Sequence, residues 1–328
     1  MWKIIGTAVQ GRGHIKKDIP VQDKIFHLKG DVNVIALADG AGSAKLSHYG
    51  AQCVVETICQ TLHQQFDTIY TQEDITVAQQ YIINTLLEEL QKLADTHGEP
   101  IKEFASTLLC VAVKNEKGLI IHLGDGEIGA VRDGELLEIS SASNGEFANA
   151  TFFVTSSNSA YKMKLFKSSN ILKFSSIFLM SDGAAESFYS KQYKRFSEVL
   201  KSIFHKATYL PESLMNDMLH DSFESYVKMK TTDDCAFIGM TLVDNSGHEF
   251  AKLPFEERKQ LLLPFTDRKR FSIGKSERIL ENLHEPLTIH QLQRKLGVKQ
   301  KYLQSSLAVL AEMQVIDRLN GKYTLVRR

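Results

Sequence analysis

The sequence predicts an α+β fold in which two antiparallel sheets are layered between helices, with a second, smaller domain after them. Strand-like and helix-like segments come in separate blocks, which is typical of antiparallel sheets covered by helices. Three apolar strand-like runs each have an aspartate at one end, and the charge balance of the chain changes near Gly274. These observations together predict a large layered domain with an acidic site and a small basic domain.

Size and charge support the division into two domains. A chain of 328 residues is too long for one ordinary core, and its 43% hydrophobic and 24% charged residues are typical of a globular protein. Residues 274–328 hold 10 lysines and arginines against 5 acids, whereas the preceding residues hold 29 against 34. We therefore expect a large domain over 1–243, a linker over 244–273 and a small domain over 274–328.

Periodicity places the elements of the large domain. Short runs of β-branched and apolar residues between turn residues predict strands at 3–9, 24–28, 34–38, 106–114, 119–123, 128–132, 135–139, 162–167, 175–180 and 235–243. Apolar residues at helical spacing predict helices at 47–66, 73–94, 191–205 and 211–226. Residues 11–23 are predicted as a polar loop, and residues 140–160, rich in Ser, Asn and Thr, as a mobile flap over one end of the sheets.

Three aspartates stand at the ends of predicted buried strands. Asp39 follows the run at 34–38, Asp182 follows the run at 175–180, and Asp233 precedes the run at 235–243. A rigid strand holds a carboxylate in a fixed place, and a neighbouring glycine lets the backbone approach a ligand closely. One Asp-Gly pair is usually a turn. Three carboxylates gathered at one point, however, would suit a hard cation such as Mg²⁺ or Mn²⁺.

Cysteine usage and hydropathy favour a cytoplasmic protein. We find no apolar stretch of transmembrane length and no signal peptide at the start of the chain, so no membrane partner is expected. The four cysteines lie inside apolar periodic segments without metal-ligand spacing, which predicts buried free thiols in a reducing compartment: Cys53, Cys59, Cys110 and Cys235.

The C-terminal domain is predicted to hold three helices and a hairpin, a pattern that resembles a winged helix-turn-helix. The helices are expected at 275–283, 288–296 and 299–313, and the strands at 315–319 and 323–326 around an Asn-Gly turn. Its third helix would present Lys299, Lys301 and Gln304 to a partner. Either protein docking or DNA binding fits, and protein docking is slightly favoured because a net charge of +5 is modest for a nucleic-acid reader.

The order of short motifs carries a family resemblance. GRGH and QD, then ADGAGSA, ASTLL, LGDGE, LMSDG and DDC follow one another between residues 4 and 242. In order and spacing they resemble the metal-dependent protein serine/threonine phosphatases of type 2C, and the bacterial branch most of all. The resemblance implies a four-layer α-β-β-α sandwich in a signalling enzyme. It also implies two Mn²⁺ or Mg²⁺ ions with a weaker third, a phosphoprotein substrate and a cognate serine/threonine kinase.

The resemblance also assigns roles to residues. Asp39 would bridge two ions, the Gly40 carbonyl would bind one of them, and Asp182 with Asp233 would complete the shell of the other. These three aspartates would be the catalytic residues, because the ions they hold activate the attacking water. Asp125 and Glu186 match the positions of the third, weaker ion.

The chain departs from the family pattern at two places. Gln22-Asp23 stands where the family commonly has glutamate-aspartate, so a metal there would meet one negative charge fewer. Asp18 stands where the family commonly has an arginine that grips phosphate. We expect His14 to substitute for it first, with Arg12 and Lys17 as further candidates; a solvated loop charge fits each of them as well.

Three functions are compatible with these patterns. The first is a metal-dependent phosphoprotein phosphatase with an appended module for targeting. The second is a catalytically weak or inactive adaptor that kept the fold and binds a phosphoprotein, which the residues at positions 18 and 22 favour. The third is a DNA-binding regulator whose large domain senses metal or phosphorylation.

Overall fold

The chain folds into two compact units. The computed structural model describes residues 1–141, 151–243 and 246–326. The large unit contains Trp2–Ser202 and Asn216–Leu242. The small unit contains Met1, Ile203–Met215 and Val243–Arg328. Of the flap expected at 140–160, residues 142–150 lie outside the described residues.

Strands dominate the large unit, and most helices are short. The strands are β1 Trp2–Val9, β2 Lys24–Leu28, β3 Asn33–Ala38, β4 Leu108–Lys114, β5 Lys117–Leu123, β6 Glu127–Arg132, β7 Glu135–Ser140, β8 Lys164–Ser168, β9 Ser176–Met180, β10 Tyr189–Ser190, β11 Arg195–Phe196, β12 Cys235–Leu242, β13 Leu287–Thr288, β14 Ile316–Leu319 and β15 Lys322–Leu325. The helices are α1 Arg12–Lys17, α2 Ser47–Thr71, α3 Ile75–His97, α4 Ser159–Lys162, α5 Asp182–Phe188, α6 Val199–Tyr209, α7 Glu212–Ser222, α8 Ser246–Lys252, α9 Phe255–Leu262, α10 Ile273–Asn282, α11 Ile289–Leu296 and α12 Gln300–Glu312. Among the described residues, no helix is both long and apolar enough to cross a membrane.

Two five-stranded sheets form the large unit, and every pairing in them is antiparallel, as the sequence predicts. The first sheet has the order β1-β12-β9-β6-β7, and the second has the order β2-β3-β4-β5-β8. In the first sheet, β1 pairs along its whole length with β12, from Trp2 opposite Leu242 to Val9 opposite Cys235.

The strands of the second sheet are apolar on both faces because each face is covered. In β3, Val34 and Ala36 point to the core under α2 and α3, while Ile35 and Leu37 point to the core between the sheets. Continuous apolar runs rather than alternating ones are the sequence mark of a strand buried on both faces. On the outer face of the first sheet, aromatic rings from β9, β11, β12, α5 and the turn at Phe223–Val227 pack together.

Two segments of the large unit differ from the sequence prediction. The loop predicted at 11–23 contains α1, which ends where Asp18 adopts the left-handed conformation. The first part of the helix predicted at 191–205 is instead the β10–β11 hairpin. The reason is the Phe196 ring, which is buried 5.0 Å from Phe178 and 4.9 Å from Tyr189, a packing that local periodicity does not encode.

Helices and a three-stranded sheet make up the small unit. Its sheet has the order β13-β15-β14, and α10, α11 and α12 bury leucines and isoleucines against one another. Thr288 and Gln291 form a capping box at the start of α11, and Gly297 ends the helix in the left-handed conformation, as predicted.

The segment 244–273, predicted as a linker, contains α8 and α9. Leu261, Leu262 and Phe265 are buried there. Arg258 forms a fork with the buried Glu277, its Nε lying 3.0 Å and 2.9 Å from the two carboxylate oxygens. The segment therefore folds as part of the small unit, because burial of its apolar side chains outweighs the charged composition that suggested a linker.

Candidate active site

The acidic end of the large unit is built from the ends of its strands. Five aspartates lie there: Asp23 before β2, Asp39 after β3, Asp125 between β5 and β6, Asp182 at the start of α5 after β9, and Asp233 before β12. The charges of the other four act on Asp39, so the five carboxylates lie close to one another. The structure thus brings together the three strand-end aspartates that the sequence singled out.

Backbone pairing fixes Asp39 in place. Its amide donates to the Thr107 hydroxyl at 2.8 Å, and the Thr107 amide donates to the Asp39 carbonyl at 2.8 Å. Gly40 continues the pairing opposite Ser106. A side chain at Gly40 would come within 2.9 Å of the Ser47 backbone, so only glycine fits this close approach to the start of α2.

Burial and mutual repulsion raise the pKa values of these acids. Burial raises the pKa of Asp39 well above its usual value, and the charges of Asp23 and Asp182 raise it further. Burial, followed by repulsion from Asp125 and Asp233, raises the pKa of Asp182 to about 6. A hydrogen bond joins the carboxyl groups of Asp39 and Asp182, and such a bond needs a shared proton. The acidic end therefore lacks positive charge, which a proton or a cation can supply.

Ser181 ties Asp23 to the central strand of the first sheet. The Ala236 amide donates to the Ser181 hydroxyl at 2.9 Å, and the Ser181 side chain hydrogen-bonds to the Asp23 carboxylate. Burial raises the pKa of Asp23 more than this bond lowers it. The Oδ2 atom of Asp23 is buried and has no hydrogen-bond partner in the described parts of the chain. An unsatisfied buried oxygen is costly, and a cation would satisfy it.

Asp234 brings His14 to the edge of the acidic end. Its buried carboxylate accepts from the Gly11 amide at 2.7 Å and from the Gln22 amide at 2.6 Å, so it holds both ends of the loop that contains α1. Nδ1 of His14 lies 2.9 Å from Oδ1 of Asp234, and Nε2 lies 3.7 Å from Oδ1 of Asp233. The Nδ1 contact is poorly directed for a hydrogen bond, so its strength depends on protonation of the ring.

Gln22 occupies the position next to the acids but uses its side chain to hold the fold. Its Nε2 donates to the Ser47 hydroxyl at 2.6 Å, and its backbone carbonyl accepts from the Gly40 amide at 3.3 Å. The side chain is buried and uncharged. Gln22 therefore connects the approach to β2 with the start of α2 and adds no charge to the site.

Three other predicted residues lie apart from the acids. Arg12 donates from Nε to the Thr231 carbonyl at 3.2 Å, which anchors α1. Lys17 is exposed and forms no ion pair with any described residue. Glu186 is exposed one turn along α5, and it is not among the charges that act on Asp182.

Sequence reasoning gave no role to three residues that the structure places at this end. Asp234 and Ser181 are the two supports described above, and Glu127 is a buried acid at the start of β6. Burial, followed by the charge of Glu138, raises the pKa of Glu127 to about 8. The paired aspartates of TDD and the serine before Asp182 could have suggested the first two, since both stand at ends of buried strands.

The donor atoms of this end fit divalent cations. Carboxylate oxygens are the ligands that Mg²⁺ and Mn²⁺ favour, and the raised pKa values show an excess of negative charge. Within the described ranges, no three His, Cys, Asp or Glu side chains already form a ligand group. Carboxylates that repel one another stand apart, so cation binding would have to draw them together.

The fold and the site define the class of the protein, and comparison with known proteins identifies its family. A crystal structure of a bacterial serine phosphatase has a TM-score of 0.51 and 14% identity, covering 74% of this chain and 99% of that one. The Streptococcus agalactiae serine/threonine phosphatase, printed as S. agalactiae, has a TM-score of 0.50 and 15% identity, covering 74% of this chain and 100% of that one. At these identities the likeness shows the fold, a layered phosphatase sandwich.

The family follows from the sequence itself. The family model described as protein phosphatase 2C matches residues 10–223, and the chain belongs to this family. Serine/threonine-protein phosphatase 3 of Escherichia coli (strain K12) is 27% identical over 183 residues, which cover 51% of this chain and 68% of that protein.

Proposed function

We propose that the protein is a metal-dependent phosphoprotein phosphatase that hydrolyses phosphate monoesters of serine and threonine. The observation that carries this proposal is the group of five strand-end aspartates whose repulsion and burial raise the pKa values of Asp39 and Asp182. Membership of the protein phosphatase 2C family supports the reaction class. The substrate would be a phosphoprotein, and a serine/threonine kinase would be the opposing enzyme.

The acidic end would hold two Mn²⁺ or Mg²⁺ ions and a weaker third. The proposed ligands of the two ions are Asp39, Gly40, Asp182, Asp233, Asp23 and Gln22, and those of the third are Asp125 and Glu186. When bound, the ions would supply Lewis acidity to the attacking water and to the phosphate oxygens.

The side chains of the chain have their own tasks in this proposal. The proton shared by Asp39 and Asp182 must leave before both carboxylates can bind a cation, so cation affinity should rise with pH. His14 would contact a phosphate oxygen when its ring is protonated, and the Asp234 carboxylate would keep the ring in place. Arg12 and Lys17 are weaker candidates for phosphate contact, since one is tied to a carbonyl and the other is fully in solvent.

Hydrolysis of p-nitrophenyl phosphate with and without Mn²⁺ tests the proposal. We expect turnover that depends on Mn²⁺ or Mg²⁺, and a loss of roughly 100-fold or more in Asp39→Asn, as for removal of one preorganised charge-stabilising group. Asp18→Asn is the matched control, because it makes the same chemical change at an exposed position whose left-handed backbone also suits asparagine.

Two results would contradict the assigned centre. One is the absence of hydrolysis at every concentration of either ion, and the other is near-normal turnover in Asp39→Asn at saturating Mn²⁺. Circular dichroism of both variants separates a lost site from a lost fold.

A catalytically weak adaptor is the second candidate. The observation that favours it is Gln22, whose amide is committed to Ser47 and carries no charge where the family commonly has glutamate. Such a protein would bind a phosphoserine peptide without releasing phosphate. Calorimetry with the peptide, run beside a phosphate-release assay, separates the two functions.

The small unit is proposed as a winged-helix module for targeting. Its order of elements is α10, β13, α11, α12, β14 and β15, with β15 between the other two strands. Lys299, Lys301 and Gln304 are all exposed at the start of α12. Binding a partner there would raise the local concentration of the phosphatase at its target without changing the chemical step.

Point variants test the module better than truncation does. Deleting residues 274–328 would remove Glu277 and leave the buried Arg258 without its partner, since the small unit begins at Val243. Lys299→Glu combined with Lys301→Glu should leave hydrolysis of the small ester unchanged and abolish partner binding. Loss of small-ester activity in that variant would contradict a separate targeting role.

A further inference from the structure

A continuous basic surface surrounds the first half of α12 in the small unit. We call it the basic surface, and its members are Lys269, Arg270, Lys275, Lys299 and Lys301. All five side chains are exposed, and none of them forms an ion pair with a described residue. The surface is larger than α12 itself, because two members precede α10 and one lies on α10.

Specific contacts assemble this surface from three separate segments. The Ser305 hydroxyl on α12 donates to the Lys269 carbonyl at 3.0 Å, which holds the loop before α10 against the helix. Lys275 and Lys301 place their ammonium groups 4.8 Å and 5.3 Å from the centre of the same ring, that of Tyr302. Two cations on one ring attract each other's counter-charge rather than each other, so an anion is the natural partner.

The acid nearest to this surface is already neutralised. Glu312 is the only acid on α12, and Arg268 binds both of its carboxylate oxygens through its two terminal nitrogens. The modest charge of residues 274–328 favoured protein docking, but that count stops short of Lys269 and Arg270, which the structure brings to the same face. The local excess of positive charge is therefore greater than the sequence count indicated.

The shape of the exposed face favours a nucleic-acid duplex over a protein. A turn of three residues with Gly297 in the left-handed conformation separates α11 from α12, as in helix-turn-helix units. Along α12 the exposed residues include Lys301, Gln304, Ala308 and Ala311, which offer short or polar side chains. Protein interfaces need large apolar or aromatic anchors and are depleted in lysine, whereas a groove accepts a helix with short side chains between cations.

We propose that the basic surface binds duplex DNA, with the five cations contacting phosphates on both sides of α12 and Gln304 facing a groove. This inference goes beyond phosphate-ester hydrolysis and does not depend on it. It assigns a partner to the small unit and gives Lys269, Arg270 and Lys275 a role that no motif indicated.

Fluorescence anisotropy of the full chain with a labelled duplex tests the proposal. Five phosphate contacts predict that log K falls with log salt concentration at a slope of about −4.5. Lys275→Gln with Lys301→Gln should reduce the slope to about −3 and weaken binding by about 60-fold in roughly 0.1 M salt. Lys252→Gln with Lys259→Gln is the matched control, because both lysines belong to the small unit but already pair with Glu249 and Glu256.

The possible outcomes separate the alternatives. Duplex binding with the steep slope, lost in the first double variant and kept in the control, supports the proposal. Equal weakening in both double variants would mean nonspecific attraction to a basic protein and would overturn it. Absence of duplex binding, together with capture of an acidic polyglutamate peptide that needs Lys275 and Lys301, would assign the surface to an acidic protein instead. Phosphatase activity measured on the same samples is independent of each result.

Discussion

Replacing Asp182 with asparagine should stabilise the cation-free protein at neutral pH. Burial and the charges of Asp125 and Asp233 raise the pKa of Asp182 from 3.8 to about 6 in the folded chain. Between those pH values the folded state keeps a proton that the unfolded state has released, so the free energy of unfolding falls as the pH rises. Asparagine has no proton to lose in this range, and its amide can still hydrogen-bond to Asp39.

The size of the effect follows from the pKa. Each tenfold change in the acid dissociation constant is worth about 1.4 kcal/mol, so a rise from 3.8 to about 6 amounts to at most about 3 kcal/mol. The stability contributed by the protonated group is complete below about pH 4 and is lost as the pH passes about 6. The free energy of unfolding of Asp182→Asn minus that of the unaltered chain should therefore grow by up to about 3 kcal/mol across this window.

Urea unfolding in the presence of a chelator measures this difference directly. Both proteins are unfolded at several pH values from about 4 to about 7, with Asp18→Asn as the control for a lost surface charge. A difference that stays constant with pH would refute the idea that the acids strain the fold. Adding Mn²⁺ at neutral pH should reverse the order, because the unaltered chain binds the ion more tightly than the variant does.

Three further predictions concern single side chains. Gln22→Glu should lower the Mn²⁺ concentration for half-maximal hydrolysis, because it adds a negative charge beside the acids; an unchanged value would show that Gln22 is not a ligand. His14→Ala should raise KM for phosphate esters by about tenfold, the worth of one charged hydrogen bond, with a smaller effect on Mn²⁺ demand; equal effects would count against phosphate contact. Arg258→Met should lower the free energy of unfolding by about 3–5 kcal/mol, since Glu277 stays buried without a partner, and adding Glu277→Leu should restore most of it. If the double variant were no more stable than the single one, the ion pair would not be the cause.

The sequence was sufficient wherever burial leaves a local pattern. The two-sided apolar runs of β3 and β9 predicted both strands and the aspartates at their ends, Asp39 and Asp182, because a strand buried on both faces shows its limits in composition alone. Helix caps were equally local, and Thr288 with Gly297 marked both ends of α11.

The sequence was insufficient wherever a contact joins distant parts of the chain. The role of Asp234 depends on the Gly11 and Gln22 amides, which lie 223 and 212 residues away along the chain. Likewise, the β10–β11 hairpin forms because Phe196 packs on Phe178, a contact that helical periodicity cannot reveal. The α8–α9 segment was misread because its few apolar residues, Leu261 and Leu262 among them, are spread between charges.

The pairing of β1 with β12 has a consequence for the time course of synthesis. β1 is the first strand to leave the ribosome, yet the only strand it pairs with in the sheet is β12, which ends at Leu242. Until then Trp2–Val9 carries an apolar strand with unsatisfied backbone groups, and β9 lacks its neighbour as well. A nascent or prematurely terminated chain should therefore be a substrate for chaperones and proteases, and ribosome-bound chains that end before Cys235 should be far more protease-sensitive than longer ones.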